Sequence, residues 1–251
     1  KLAAMDEQSI YELMSVTHNH NVTLSSVLLF SPYPQAYFPQ FCITAVVVPG
    51  KEVGEVDSDG ARFLDNARIE GTIPEMLEEA ISFVKRNMRK KTIINPATGK
   101  REDRTDYPIT AVREAILNAL VHRDYSIHTE GMPIQILMFE DRMEIRNPGG
   151  IYGRMSIDQL GKVQADTRNP VLALALEVLD ITENRYSGIP TIRREMKAYN
   201  LMPAEFSDER GNFIVRFYKK TLENSTEENN LIEFCRTPRS RKEISEFLKI
   251  K

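Results

Sequence analysis

Arg113-Glu114-Ala115-Ile116-Leu117-Asn118-Ala119-Leu120-Val121-His122-Arg123-Asp124-Tyr125 is a helical run with two stripes. Apolar residues recur at Val112, Ile116, Ala119 and Leu120, the spacing of one buried helical face. Glu114, Asn118 and His122 stand four residues apart, so they form a second, polar stripe along the same helix. A carboxylate, an amide and an imidazole on a mostly apolar helix are costly to bury without partners. The stripe faces either a cavity, ligand or metal ion, or bulk solvent. Periodicity alone leaves both open.

After the run, Ile134, Ile136 and Met138 alternate on one strand, Glu140-Asp141-Arg142 turns, and Met143 and Ile145 alternate on a second, which runs into Asn147-Pro148-Gly149-Gly150. A short helix capped by Ser156, the polar loop Asp166-Thr167-Arg168-Asn169 and a helix over residues 171–179 come next. The turn Arg185-Tyr186-Ser187-Gly188-Ile189-Pro190 opens a helix to Tyr199, and a closing hairpin ends with Phe213, Val215 and Phe217 in alternation. Before the run, Thr23 opens a short helix reaching Phe30, and an aromatic, proline-rich loop follows. Residues 41–48 read as a strand closed by Pro49-Gly50, and a second strand falls near Ala67-Arg68-Ile69-Glu70. Residues 72–88 form an amphipathic helix with Pro74 in its first turn. That helix ends in Lys85, Arg86, Arg89, Lys90 and Lys91, which suit its dipole better than they argue for a phosphate-binding patch. Residues 92–107 read as a polar connector.

The expected division is a small α+β unit over residues 1–104, a second domain over 105–220, and a linker with a helical tail over 221–251. In the tail, Ser240-Arg241-Lys242-Glu243 is a capping box opening the second of two short basic-edged helices, the start of a helix-turn-helix. The fold class is α+β. The chain opens at Lys1 and stops at Lys251 inside a helical pattern, so it reads as an excerpt of a longer protein.

A net charge of −3 gives no global nucleic-acid signature, so any such surface is local. Cys42 and Cys235 lie far apart and indicate no disulfide framework, which makes a cytoplasmic setting the default expectation. The longest apolar run is far shorter than the ~20 residues of a membrane span. Gly99-Lys100 and Gly161-Lys162 lack the phosphate-loop sequence that a motor helicase requires. His18, His20, His122 and His128 have no zinc-ligand spacing, and no G-x-S-x-G nucleophile elbow is present.

The blocks Arg-Glu-x-x-x-Asn-Ala-x-x-His-Arg-Asp-Tyr at 113–125, Asp-Arg-x-Glu-Ile-x-Asn-Pro-Gly-Gly at 141–150 and Arg168-Asn169-Pro170, with the turn at Gly188, resemble a family of RecG-related transcriptional regulators. Full-length members carry a Schlafen-type AlbA domain, a divergent ATPase domain of the gyrase, histidine-kinase and MutL type, and a winged helix. The resemblance implies an α/β sandwich of that ATPase type, with the AlbA domain lying outside this chain. It implies that Asn118 holds Mg²⁺ against the phosphates of ATP and that Glu114 orients the attacking water. It also implies that Asn147, Gly149 and Gly150 contact adenine, and that Ser187 and Gly188 turn around the phosphates. Implied partners are DNA, through the full-length protein, and a second copy in a homodimer.

Two departures weigh on this expectation. The parent ATPases have an aspartate where Asn147 stands, and an amide accepts the adenine amino group without the charge-assisted increment of ~1–2 kcal/mol. Tyr186 and Pro190 surround a single glycine where the parents use several, so fewer N–H groups converge on a triphosphate. Both argue for a ligand-sensing or assembly module over a low-turnover Mg²⁺-ATPase whose cycle drives dimer closure.

Overall fold

The computed structural model describes residues 5–94, 99, 101–163, 166–182, 188–222, 231, 234–235 and 240–247. It is an α+β structure, as expected, and it is organised on a mixed six-stranded sheet. Two short helices, α1 (Glu7–Leu13) and α2 (Leu24–Phe30), flank a minimal hairpin, β1 (Thr17–His18) and β2 (Asn21–Val22). The main sheet begins with β3 (Ile43–Val47) and β4 (Asp65–Ile69), followed by α3 (Ile73–Asn87). Thr72 and Glu75 form a reciprocal capping box at the start of α3, and Pro74 sits in its first turn, where a missing N–H costs nothing.

A separate two-stranded ribbon follows, β5 (Lys90–Ile94) with β6 (Arg101–Thr105). Then come α4 (Ile109–His122), β7 (Ile134–Met138), β8 (Arg142–Pro148), α5 (Pro170–Val178), α6 (Gly188–Ala198), β9 (Glu205–Glu209) and β10 (Asn212–Tyr218). The tail contributes α7 (Arg241–Phe247), opened by the Ser240–Glu243 capping bonds expected from sequence. Its ring partner is Phe234, stacked 4.4 Å from Phe247. Most of the first tail helix, like Ser187, falls outside the described residues.

The strand order is β4-β3-β7-β8-β10-β9, with β3 and β7 parallel and every other neighbour antiparallel. This order overrides the expected break between residues 104 and 105. Ile43 registers with Ile134 and Val47 with Met138, so the first unit supplies two strands to the sheet of the second. The physical reason is local: no short turn can join parallel neighbours, so α3, the ribbon and α4 form the crossover between them. The polar connector foreseen over 92–107 is largely the ribbon that the crossover carries.

One face of the sheet carries the helices. Ile43, Ala45, Ile134, Ile136, Met143, Ile145, Val215 and Phe217 join Ile73, Met76, Phe83, Ile116 and Leu120 in one buried core. Helix α4 packs between α3 and α6 and against β8, which buries Ala111, Val112, Ala115, Ile116, Leu117, Ala119, Leu120 and Val121. The stripe Glu114, Asn118 and His122 is half-buried, as are Ile109 and Arg113, while Thr110 is exposed.

Candidate functional site

The stripe faces a cleft. Its apolar half encloses about 780 Å³, mouth included, and is walled by Ile145, Ile192, Phe213, Val215 and Leu160. Asn118, His122, Met155, Leu160, Asp166 and Ile189 line both this half and a more open, polar half, so the two are continuous. The polar half adds Glu114, Thr167, Glu177, Gly161 and Gly188.

Asn147 forms part of the wall of the apolar half. Ile145 and Asn147 lie two residues apart on β8, so both turn toward the helices, and Asn147 is 3% exposed. Its Oδ1 is buried without a hydrogen-bond partner. Such an acceptor costs on the order of 1–3 kcal/mol when it stays unpaired. Thr167 Oγ1, on the polar half, is a second buried side-chain atom without a partner.

Gly149 and Gly150 close the end of β8. Gly149 has φ +95°, and an added Cβ would stand 2.6 Å from Asp124 Cβ and 3.2 Å from Arg168 Nη1. Glycine is needed here for both backbone sign and space. Gly149→Ala is expected to lower stability by about 2 kcal/mol in chemical denaturation; an unchanged midpoint would show that the strand end relaxes freely. Arg168 fixes this corner: its Nη1 lies 2.6 Å from Asp124 Oδ2 and its Nη2 donates to Gly150 O at 3.0 Å. Burial opposes ionisation of Asp124, but the Ser126 N–H and hydroxyl and the Arg168 guanidinium outweigh it and hold the carboxyl below its usual value. Asn169 donates to Val121 O and Arg123 O, both at 2.8 Å, and so satisfies carbonyls at the end of α4. The Arg168-Asn169-Pro170 block thus ties the end of the striped helix to the glycine corner.

At the polar end, Gly188 starts α6 against α4. A Cβ there would lie 2.5 Å from Asn118 Nδ2 and 3.1 Å from Glu114 Oε2. The chain approaches the stripe as closely as backbone alone permits. Burial, with Arg168 second, pushes the His122 imidazole below its usual value, so it is neutral at pH 7. The structure therefore brings together Glu114, Asn118, Asn147, Gly149, Gly150 and Gly188, with Ser187 outside the described residues. Sequence reasoning did not assign Thr167, Asp166 or Leu160 to the site. Its one signal for the first two was the polar loop before Arg168.

Among the described lining residues of the polar half are three carboxylates, Glu114, Asp166 and Glu177, and no lysine or arginine. The donor set is oxygen-rich: these carboxylates, the Asn118 amide and the Thr167 hydroxyl. It suits a hard divalent cation such as Mg²⁺, which keeps several waters and needs few protein ligands. No cluster of three or more His, Cys, Asp or Glu side chains in metal-holding arrangement occurs among the described residues.

No curated protein matches the chain. Its architecture is similar to a crystal structure of the DIP2311 protein from Corynebacterium diphtheriae, with a TM-score of 0.68 at 16% identity. That likeness concerns the fold; the alignment covers 100% of this chain and 52% of that one, so the chain spans about half of its neighbour's length. Residues 131–217 match the family described as "Putative ATP-dependent DNA helicase recG C-terminal". The matched segment includes Asn147, Gly149, Gly150 and Gly188, and α4 with Glu114 and Asn118 precedes it. Over residues 131–217, the part of the sheet from β7 to β10 and the helices between them, the chain is thus similar to that family.

Proposed function

We propose that the cleft binds an adenine nucleotide with Mg²⁺ and serves as the ligand-sensing module of a cytoplasmic, homodimeric, DNA-binding transcriptional regulator. The observation that carries this reading is the buried, unpartnered Oδ1 of Asn147 inside a slot of aliphatic and aromatic side chains. A flat heterocycle with an exocyclic amino group fills the slot and supplies the missing donor. Gly149 and Gly150 let the backbone come close to the base, and the start of α6 at Gly188 directs N–H groups toward the phosphates. Asn118 would hold the metal, whose charge offsets the repulsion between polyphosphate and the three carboxylates.

The test is thermal unfolding with ATP or ADP, with and without Mg²⁺. Nucleotide with Mg²⁺ is expected to stabilise, by ~2.7 kcal/mol at a hundredfold excess over Kd. Nucleotide without the metal is expected to do little. Asn118→Ala should erase the metal-dependent part and Asn147→Leu the remainder. No shift at millimolar nucleotide sinks the proposal, and a shift untouched by Asn118→Ala puts the ligand elsewhere.

One observation favours a second reading, a slow Mg²⁺-ATPase: Glu114 stands one helical turn before Asn118, and both meet the backbone at Gly188. A carboxylate so placed can orient a water and accept its proton. Phosphate release that Glu114→Gln abolishes, with binding retained, would select this reading.

A further inference from the structure

We propose that the β5–β6 ribbon is a docking surface for duplex DNA, an inference that rests on the DNA-associated part of the reading above and not on the cleft. Residues 85–104 hold eight lysines and arginines against two carboxylates, in a chain whose net charge is −3. Lys85 and Arg86 lie in the last turn of α3, where the helix dipole accounts for them, and Arg86 also pairs with Asp65 at 2.9 Å. Nothing comparable accounts for Arg89, Lys90, Lys91 and Arg101. Among the described residues, no carboxylate lies within ion-pair distance of the Arg89, Lys90 or Lys91 side chains, and Arg101 reaches Asp103 only at 3.9 Å.

The ribbon is a sheet of its own, unpaired with the main one. Lys91 stands directly opposite Arg104 in its register, and like charges in that position destabilise a strand pair unless an anion lies between or above them. Lys90, Thr92 and Ile94 share one face with Arg101, Asp103 and Thr105, and Ile94 is 72% exposed. The base of the ribbon is held firmly. Arg104 stacks over Tyr199 at 5.2 Å, and Asp106 accepts from the Arg89 N–H at 3.0 Å and lies 4.0 Å from Lys219 Nζ. Lys219 also fixes the position in the fold: it bonds Asp141 O, just before β8, whereas Asn147 and the glycine corner lie at the other end of that strand. The chain leaves β10 toward the basic tail from this same end of the sheet.

A two-stranded antiparallel ribbon fits the major groove of B-DNA, ~12 Å wide, with cations at its edges meeting phosphates. Thr92 and Ile94 supply a hydroxyl and an apolar tip for base edges. Residues 90–94 and 101–105 contain no aromatic side chain, which argues against a single-strand platform built on base stacking. Among the described side chains of the ribbon Ile94 is the one exposed apolar tip, too little apolar surface for membrane insertion.

The experiment is fluorescence anisotropy of the full chain with a labelled duplex of arbitrary sequence, across a salt series. Wild type is expected to bind with a steep salt dependence. Lys90→Gln/Lys91→Gln/Arg101→Gln, with its melting temperature unchanged, should bind at least ~10-fold more weakly at low salt and lose about 2.7 from the log–log slope, 0.9 for each contact removed. Arg241→Gln/Lys242→Gln should bind as wild type does. If the tail variant loses binding and the ribbon variant keeps it, the ribbon assignment is overturned while the DNA-associated reading survives. If wild type does not bind duplex at all, the ribbon assignment falls, while the reading that DNA is bound through the full-length protein stands apart from it. A preference for single-stranded RNA or for phosphatidylglycerol vesicles over the duplex likewise overturns the assignment.

Discussion

Arg123→Ala is expected to destabilise the protein by about 3–4 kcal/mol in urea or thermal denaturation. Arg123 follows α4 and is 1% exposed. Its guanidinium lies 4.3 Å from the centre of the Phe41 ring and 5.0 Å from that of Tyr125, two cation–π contacts in a desolvated setting. Its nitrogens donate to Asp124 O at 3.1 Å, to Thr129 O at 3.0 Å and to Met132 O. Truncation leaves a cavity beside two rings and removes a donor from three carbonyls, of which Asp124 O keeps the Thr129 hydroxyl and Thr129 O keeps the Met132 N–H. Lysine restores the charge but not the fork, so Arg123→Lys should recover only part of the loss. Because Arg123 lies outside the cleft lining, nucleotide affinity measured below the melting transition should change little. A variant of wild-type stability with altered affinity would place Arg123 in ligand binding instead.

What the sequence revealed and what it hid separate along one physical line. The stripe of Glu114, Asn118 and His122 was legible because helical periodicity is local, and the strands at 134–138 and 142–148 because one buried face enforces alternation. The ribbon was not. Lys90, Lys91, Thr92 and Ile94 on one strand and Arg101 and Asp103 on the other are all exposed, so no hydrophobic alternation marks them. The parallel pairing of β3 with β7 joins residues about ninety apart and leaves no trace in either segment. Asn147 was visible as a residue of interest, but its unpaired Oδ1 depends on what β10 and α6 place around it.

The same alternation that turns Asn147 inward turns Glu144 outward, and there the sheet is held by charge in place of a helix. Glu144 is 2% exposed although it lies on the face away from the helices. Arg142 Nε donates to it at 2.7 Å, Arg146 Nη2 at 2.7 Å and Arg216 Nε at 3.4 Å, three guanidinium groups from two adjacent strands. Burial works against its ionisation, but Arg142 and Arg146 outweigh burial and hold the carboxyl below the usual glutamate value. Glu144→Ala leaves these cations facing one another and is expected to cost about 2–3 kcal/mol, toward the lower side of a broken buried pair because the arginines keep some solvent. A carboxylate with a depressed folded pKa contributes fully above its unfolded value and loses that contribution as pH falls through the folded one. The stability gap between wild type and Glu144→Gln should therefore be widest near neutrality and close on the acid side of the ordinary value of 4.5. A gap that stays constant with pH would mean that Glu144 acts through shape and not through charge. Since β8 carries Glu144 on one face and Asn147 on the other, loosening the arginine cluster also relaxes the wall of the cleft. Glu144→Gln should then reduce the Mg²⁺-nucleotide stabilisation at neutral pH, although Glu144 touches no part of the cleft.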